Sequence, residues 1–133
     1  MKVLATSRTF IVLGALTLLL GVALGAFAAH GLKSVLSPEL LNIFKTAVDY
    51  QFIHGLGLIF CGLIYQQHQQ KFIKLSGWLL LAGIIIFSGS LYLLVITDIR
   101  WLGAITPLGG TAFILAWASL IVGMLKDTPT EAD

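Results

Sequence analysis

The sequence predicts an all-α polytopic membrane protein, in which four antiparallel transmembrane helices form one domain over residues 1–133. Four apolar stretches, at residues 10–29, 48–65, 75–96 and 107–125, each approach the about 20 helical residues that cross a hydrocarbon core of about 30 Å. Charged residues make up 11% of the chain, against about 25% in a soluble domain, and hydrophobic residues make up 58%. A soluble protein of this size has too little interior to bury so much apolar surface.

Charge and cysteine content restrict the partners and the chemistry. The net charge is +2 and the basic residues are scattered along the chain, so no nucleic-acid partner is predicted. The predicted partner is the lipid bilayer itself. Cys61 is the single cysteine and lies in the second apolar stretch, so an intrachain disulfide is excluded.

The first helix is predicted at residues 10–29, and this part of the chain resembles a cleavable secretory signal. Small residues flank Phe27 as they flank a cleavage site. The apolar run is about 20 residues long, however, whereas the core of a signal usually has about 7–15. We therefore expect a retained membrane helix.

The second helix has a capped start well ahead of its apolar stretch. Ser37, Pro38 and Glu39 are typical of an N-cap, a first-turn proline and an early acid. At about 1.5 Å per residue, a helix from residue 38 to 65 is longer than the hydrocarbon core is thick. Residues 38–47 are therefore expected to form an amphipathic interfacial lead-in, either continuous with the span at 48–65 or bent away from it.

Polar segments precede the last two helices. Residues 66–71 form the predicted loop before the third helix at 75–96, and residues 97–106 form the predicted loop before the fourth. Thr106 and Pro107 repeat the pattern of a cap followed by proline, so the fourth helix is predicted to start at Pro107. Residues 127–133 are expected to form a solvated acidic tail.

Basic residues predict the orientation of the bundle. Five lie on the side of the termini, Lys2, Arg8, Lys71, Lys74 and Lys126, and three on the other side, Lys33, Lys45 and Arg100. Positive residues accumulate on the cytoplasmic side of membrane proteins. Both termini are therefore predicted to be cytoplasmic.

Small residues are predicted to hold the helices together. Helix association in lipid depends on close backbone approach and on interhelical hydrogen bonds, because lipid tails are as apolar as leucine. The glycines expected at helix contacts are Gly14, Gly21, Gly25, Gly57, Gly89 and Gly110. Such glycines can serve packing within one chain or dimerisation between chains, and we favour packing within the chain.

Polar side chains gather in the half of the bundle away from the termini. Because a polar group inside a membrane is costly, each is a candidate functional group. The ligand- or ion-binding candidates are His30, Asp49, Tyr50, Gln51, His54, Ser90, Tyr92 and Thr106. The other half of the bundle is expected to be almost wholly apolar.

His54 is the most informative of these residues because it lies well inside its span. It can transfer protons or bind a metal, or it can simply hydrogen-bond to a neighbouring helix, which we favour. The spacing of His30, Asp49 and His54 matches no metal motif, and the sequence shows no heme motif, phosphate loop or pair of catalytic carboxylates. No metal, cofactor or enzymatic activity is therefore predicted.

Four short blocks together resemble the YgdD-like family of small bacterial inner-membrane proteins. They read GAFAAHGLK at residues 25–33, TAVDYQFIH at 46–54, FSGSLY at 87–92 and TPLGG at 106–110. The resemblance implies four transmembrane helices in the bacterial inner membrane and a relationship to a eukaryotic transmembrane branch. It carries over no activity, substrate or catalytic residue, because the family is known as a domain of unknown function.

Three functions are compatible with these features. The first is a structural, binding or accessory membrane protein, acting as a homo-oligomer or within a larger membrane complex. The alternative is a small oligomeric transporter or channel that moves an ion, a proton or a small molecule through the polar cluster. An enzyme acting on lipid or quinone through His30, Tyr50 and His54 ranks last, because residue type alone supports it.

Overall fold

A computed structural model describes residues 1–126 of the chain, and the predicted acidic tail at 127–133 lies outside them. Helix α1 (Lys2–Phe27) continues into a π-helical turn (Ala28–Leu32), and α2 covers Pro38–Gln67. The next span combines α3 (Lys71–Gly83), a π-helical segment (Ile84–Ser88) and α4 (Gly89–Thr97). A 3₁₀ turn (Arg100–Ala104) leads into α5 (Thr106–Leu125).

Four helical stretches of the described chain are long and apolar enough to cross a membrane. They are Lys2–Leu32, Pro38–Gln67, Lys71–Thr97 and Arg100–Leu125. No strand occurs within residues 1–126. The predicted all-α fold class with four membrane-length helices is thus confirmed.

Helix α2 begins as its sequence predicts. The backbone N–H of Leu40 donates to the Ser37 hydroxyl oxygen over 3.2 Å, and Pro38 occupies the first turn. The helix then runs without interruption to Gln67. The lead-in and the span are therefore one continuous helix, which settles the alternative that the sequence leaves open.

The start of α5 differs from the prediction. The helix begins at Thr106 rather than Pro107, and no side-chain hydrogen bond caps it. The Thr106 hydroxyl lies 2.8 Å from the Ser90 hydroxyl instead, so it serves a contact with α4. The expected cap fails because the threonine side chain has a partner on another helix.

The helices pack in antiparallel pairs, α1 against α2 and α3 against α5, with α2 and α3 adjoining. At Gly14 the α1 and α2 backbones approach so closely that an added Cβ would lie 2.8 Å from the carbonyl oxygen of Gly55. At Gly21 the nearest atoms belong to the Phe52 ring of α2. This face of α1 is therefore covered within the chain.

Other glycines from the predicted set are placed differently. Gly57 lies under the Trp117 indole, while Gly25 is in ordinary contact with Val48. A Cβ added at Gly110 would come no closer than 3.9 Å to the Phe87 ring, and one at Gly89 would meet nothing within 4 Å. The last two positions thus border open space rather than a tight helix contact.

The half of the bundle that holds the chain termini is less apolar than the sequence suggests. The buried Ser7 hydroxyl of α1 donates to the Gly62 carbonyl of α2 over 2.7 Å. The buried Cys61 sulfur lies 3.4 Å from the hydroxyl oxygen of Ser76 in α3. Both polar contacts join neighbouring helices, and the expectation of an almost wholly apolar half overlooked them because serine is small.

Candidate functional site: an aromatic cleft beside His54

His54 is anchored to its own helix. Its Nδ1 lies 2.8 Å from the carbonyl oxygen of Tyr50, one turn earlier in α2. A carbonyl oxygen only accepts hydrogen bonds, so Nδ1 donates, and in the neutral ring Nε2 is left as an acceptor. Throughout residues 1–126, every side-chain nitrogen or oxygen sealed from solvent has a partner. Since the described residues give Nε2 no partner, that atom must keep accessible surface.

Aromatic rings surround this imidazole. Phe113 of α5 stacks nearly parallel to it, with ring centroids 3.4 Å apart and planes inclined by 12°. Tyr50 stacks on it at 5.6 Å and is itself stacked on Phe87 at 4.3 Å. Trp117 lies 6.1 Å away on its α5 side. His54 is only 5% exposed as a result.

These rings line a cleft of about 400 Å³ between α2, the π-helical segment and α5. We call it the aromatic cleft, and its lining residues are Tyr50, His54, Phe87, Pro107, Gly110, Thr111, Phe113, Ile114 and Trp117. None of these side chains carries a formal charge at neutral pH apart from a protonated histidine. Ile114 is 71% exposed and Tyr50 is 39% exposed, so the cleft borders the outer surface of the bundle.

The π-helical segment places Phe87 at the cleft. The Ser88 hydroxyl donates to the Ala47 carbonyl over 2.7 Å and so ties this segment to α2. On its other side, α5 comes so close that a Cβ added at Gly109 would overlap the Phe87 backbone nitrogen. The sequence predicts a helix over 75–96, and the structure interrupts it with a π-helical turn, which is a feature often found at functional sites.

Gln51 and Tyr92 are turned toward other helices. The Gln51 amide nitrogen donates to the Thr17 carbonyl of α1 over 2.8 Å, and the Tyr92 hydroxyl of α4 donates to the Gln51 amide oxygen over 2.6 Å. Both ends of the amide are therefore used by protein groups. This network joins α1, α2 and α4 and lies apart from the His54 ring, which faces α5.

Ser90 and Thr106 form a third, separate contact. Ser90 donates to the Phe87 carbonyl over 2.9 Å, which leaves Thr106 to donate to the Ser90 oxygen over 2.8 Å. His30 and Asp49 are exposed at the bundle surface. Within residues 1–126, no group of three histidine, cysteine or acidic side chains could hold a metal ion.

The structure thus distributes the predicted polar residues among separate places. Tyr50 and His54 lie together at the aromatic cleft, while the other candidates join helices or face outward. Phe87, Phe113 and Trp117 supply the walls of the cleft and were not among the predicted site residues. The spacing of four residues between Phe113 and Trp117 places both on one face of α5 and was the available signal.

An exposed ion-pair cluster lies outside the cleft. Arg100 contacts Glu39 at the start of α2 over 2.6 Å and Asp98 over 3.0 Å. The Glu39 contact links the α2 start to the 3₁₀ turn across 61 residues of sequence.

Residues 24–110 match the family described as protein of unknown function (DUF423). The chain belongs to this family. Two similar relatives are the UPF0382 membrane protein YwdK of Bacillus subtilis, 45% identical over 120 residues, and a UPF0382 membrane protein of Staphylococcus haemolyticus, 48% identical over 119 residues. Each alignment covers 90% of this chain, with 98% of the Bacillus protein and 97% of the Staphylococcus protein.

No solved structure matches the chain. As a DUF423 member with four membrane-length helices, it is a membrane protein of an uncharacterised family. The family match includes Tyr50, His54 and Phe87 of the aromatic cleft, and it ends before Phe113 and Trp117.

Proposed function

We propose that this protein is a non-enzymatic binding protein of the bacterial inner, or cytoplasmic, membrane, with both termini in the cytoplasm. Its ligand is a neutral, membrane-soluble molecule held in the aromatic cleft. The observation that carries this proposal is that His54 lines an aromatic cleft at the bundle surface, while its Nε2 keeps accessible surface and has no partner among residues 1–126.

The hydrogen-bond partner of His54 favours a role in binding over a role in helix packing. A histidine that fastens helices is expected to bond to a neighbouring helix. The Nδ1 bond of His54 returns to Tyr50 of the same helix instead. Ser7, Gln51 and Ser88 do make bonds between helices, so the chain has packing groups elsewhere. A bound ligand that donates a hydrogen bond to His54 Nε2 would use this accessible acceptor, which the packing of the helices does not use.

Native mass spectrometry of protein released from lipid nanodiscs made from its own membranes tests the proposal. We expect a noncovalent adduct of a neutral molecule with the natural chain. Gly110→Leu should remove the adduct, because the new side chain fills the cleft beside a position where a Cβ comes no closer than 3.9 Å to Phe87. Gly89→Leu is the matched control, since it adds the same side chain at an open position outside the cleft. Equal adducts in all three proteins, or none in any, would contradict the proposal.

The same native mass spectra also report the oligomeric state of the protein and any bound partner. We propose that the chain acts as a homo-oligomer or as an accessory subunit of a larger membrane complex. The tightly packed face of α1 is already covered by α2, so further subunits must use other surfaces, such as the exposed apolar face that contains Leu19 and Val22. A strictly monomeric protein without partners would count against this part of the proposal.

A small oligomeric transporter or channel is the second candidate, and one observation favours it. Transporters often bind substrates where membrane helices are broken, and the third span contains the π-helical segment Ile84–Ser88 beside the cleft. Under this alternative, proton or ion flux into liposomes falls when His54 is replaced by alanine. Equal flux through the natural chain and His54→Ala would exclude it.

The relationship to the YgdD-like proteins and their eukaryotic branch also belongs here as a proposal. It is supported by the four blocks of sequence, all of which fall within the matched range of residues 24–110. A eukaryotic relative with a histidine and a tyrosine at the positions of His54 and Tyr50 would extend the binding proposal to that branch.

A further inference from the structure

We infer that the aromatic cleft selects a ring that carries hydroxyl groups, such as the headgroup of a quinol, over the same ring carrying carbonyl groups. This inference rests on the proposed binding function and specifies the class of ligand. The juxtaposition that supports it is a hydrogen-bond acceptor, His54 Nε2, among stacked aromatic side chains at the surface of the bundle.

The polar groups of the cleft favour a ligand that donates hydrogen bonds. Thr111 donates its hydroxyl proton to the Pro107 carbonyl over 2.9 Å, so its oxygen remains as a second acceptor beside His54 Nε2. The Tyr50 hydroxyl can donate or accept, and the Trp117 indole N–H donates. A hydroxyl group has one donor and also accepts, so it can pair with either kind of group. A carbonyl group only accepts and leaves the His54 and Thr111 acceptors without a partner.

The aromatic walls of the cleft favour a ligand that has a flat ring. Phe113 and Tyr50 already stack on the imidazole, and Phe87 stacks on Tyr50 and lies 5.6 Å from the Phe113 ring. Aromatic pairs in such arrangements contribute beyond the apolar area that they bury. Among residues 1–126, the lining holds no lysine, arginine, aspartate or glutamate, so a charged headgroup would find no counter-ion there. The volume of about 400 Å³ lies within the range of small-molecule sites.

Tryptophan fluorescence provides the test, because Trp117 lines the cleft. Replacing Trp78 and Trp101 by phenylalanine leaves Trp117 as the one remaining tryptophan of three. The protein in nanodiscs is titrated without oxygen with a decyl-substituted benzoquinol, the matching benzoquinone, and 1-decanol, which has a hydroxyl but no ring. The readout is the Kd for each probe rather than the depth of quenching.

We expect the quinol to bind about two- to tenfold more tightly than the quinone, which is the range that one neutral hydrogen bond gives. His54→Phe keeps a ring for stacking on Phe113 but removes the acceptor, so it should make the two affinities equal. Gly110→Leu should weaken both probes, and Gly89→Leu should weaken neither. These two variants keep the test decisive if His54→Phe does not fold.

Other results separate the inference from the proposed function. Equal affinity for quinol and quinone in the natural chain would overturn the inference on the hydroxyl. Equal affinity for decanol and quinol would overturn the inference on the ring. In both cases a cleft blocked by Gly110→Leu would still support the binding function. If no probe binds and native spectra show no adduct, the inference and the proposed function both fail.

Discussion

Replacing Gly14 by alanine tests whether close backbone contact between α1 and α2 stabilises the bundle. A Cβ at this position would lie 2.6 Å from Ile59 Cγ1 and 2.8 Å from the Gly55 carbonyl oxygen. The isoleucine side chain can rotate, but the carbonyl belongs to the α2 backbone. The two helices must therefore separate by several tenths of an ångström.

The cost follows from the contacts that this separation weakens. Overpacking a tight interface typically costs about 1–3 kcal/mol, and a gap of about 0.5 Å already loses about a quarter of each contact energy. Two hydrogen bonds cross the same interface, from Ser7 to Gly62 and from Gln51 to Thr17, and both would lengthen. Alanine also gains up to about 1 kcal/mol in helix propensity relative to glycine. Gly89→Ala shares this gain in a helix but meets no atom within 4 Å, so it is the matched control.

We therefore expect Gly14→Ala to be less stable than Gly89→Ala by about 1–3 kcal/mol. The free energy of unfolding can be measured by SDS titration in mixed micelles, with far-ultraviolet circular dichroism as the signal. Gly89→Ala should match or exceed the natural chain. If Gly14→Ala proved as stable as Gly89→Ala, the argument that glycine permits this helix contact would be refuted.

Two further predictions concern polar contacts. Gln51→Leu should lower the free energy of unfolding by about 1–3 kcal/mol, because it removes two interhelical hydrogen bonds. Tyr92→Phe should lower it by about 0.5–1.7 kcal/mol, because it removes one of them. In the same SDS titrations the double variant should cost less than the sum of the two, and strict additivity would show that the Gln51–Tyr92 bond contributes nothing. Arg100→Gln should change stability by less than about 1 kcal/mol, because Arg100 and its partner Glu39 are 54% and 67% exposed. The small effect should fade as salt is added, whereas a salt-independent loss would indicate that the contact orients the 3₁₀ turn.

Features that depend on local sequence could be predicted well. The four spans follow from apolar length, because a helix in lipid must satisfy its own backbone groups. The start of α2 follows from Ser37 and Pro38, whose effects act within one turn. The 3.6-residue repeat of a helix also puts Tyr50, His54, Gly57 and Cys61 on one face of α2. Gly57 and Cys61 indeed contact α5 and α3, respectively.

Which residues of an apolar membrane helix face its neighbours could not be predicted in the same way. In a soluble protein, the polar side of a helix indicates which residues face inward. Helix α5 contains no charged residue, so its sequence does not distinguish the buried Phe113 from Ile114, which is 71% exposed. The walls of the aromatic cleft come from this helix and from a π-helical turn. Hydropathy and regular helical periodicity predict neither the buried face of this helix nor the position of the π-helical turn.

The polar residues show why burial alone does not identify a functional site in this bundle. Ser7, Gln51 and Ser88 are all buried, yet each directs its polar group to a carbonyl of a neighbouring helix and so stabilises the packing. His54 is equally buried, but its bond stays within α2 and its second ring nitrogen remains accessible at a cleft. What distinguishes His54 is therefore that its Nε2 has no hydrogen-bond partner within the described residues 1–126. A hydroxyl supplied by a membrane-soluble ring would complete its hydrogen bonding, and this is the chemical basis on which the binding proposal rests.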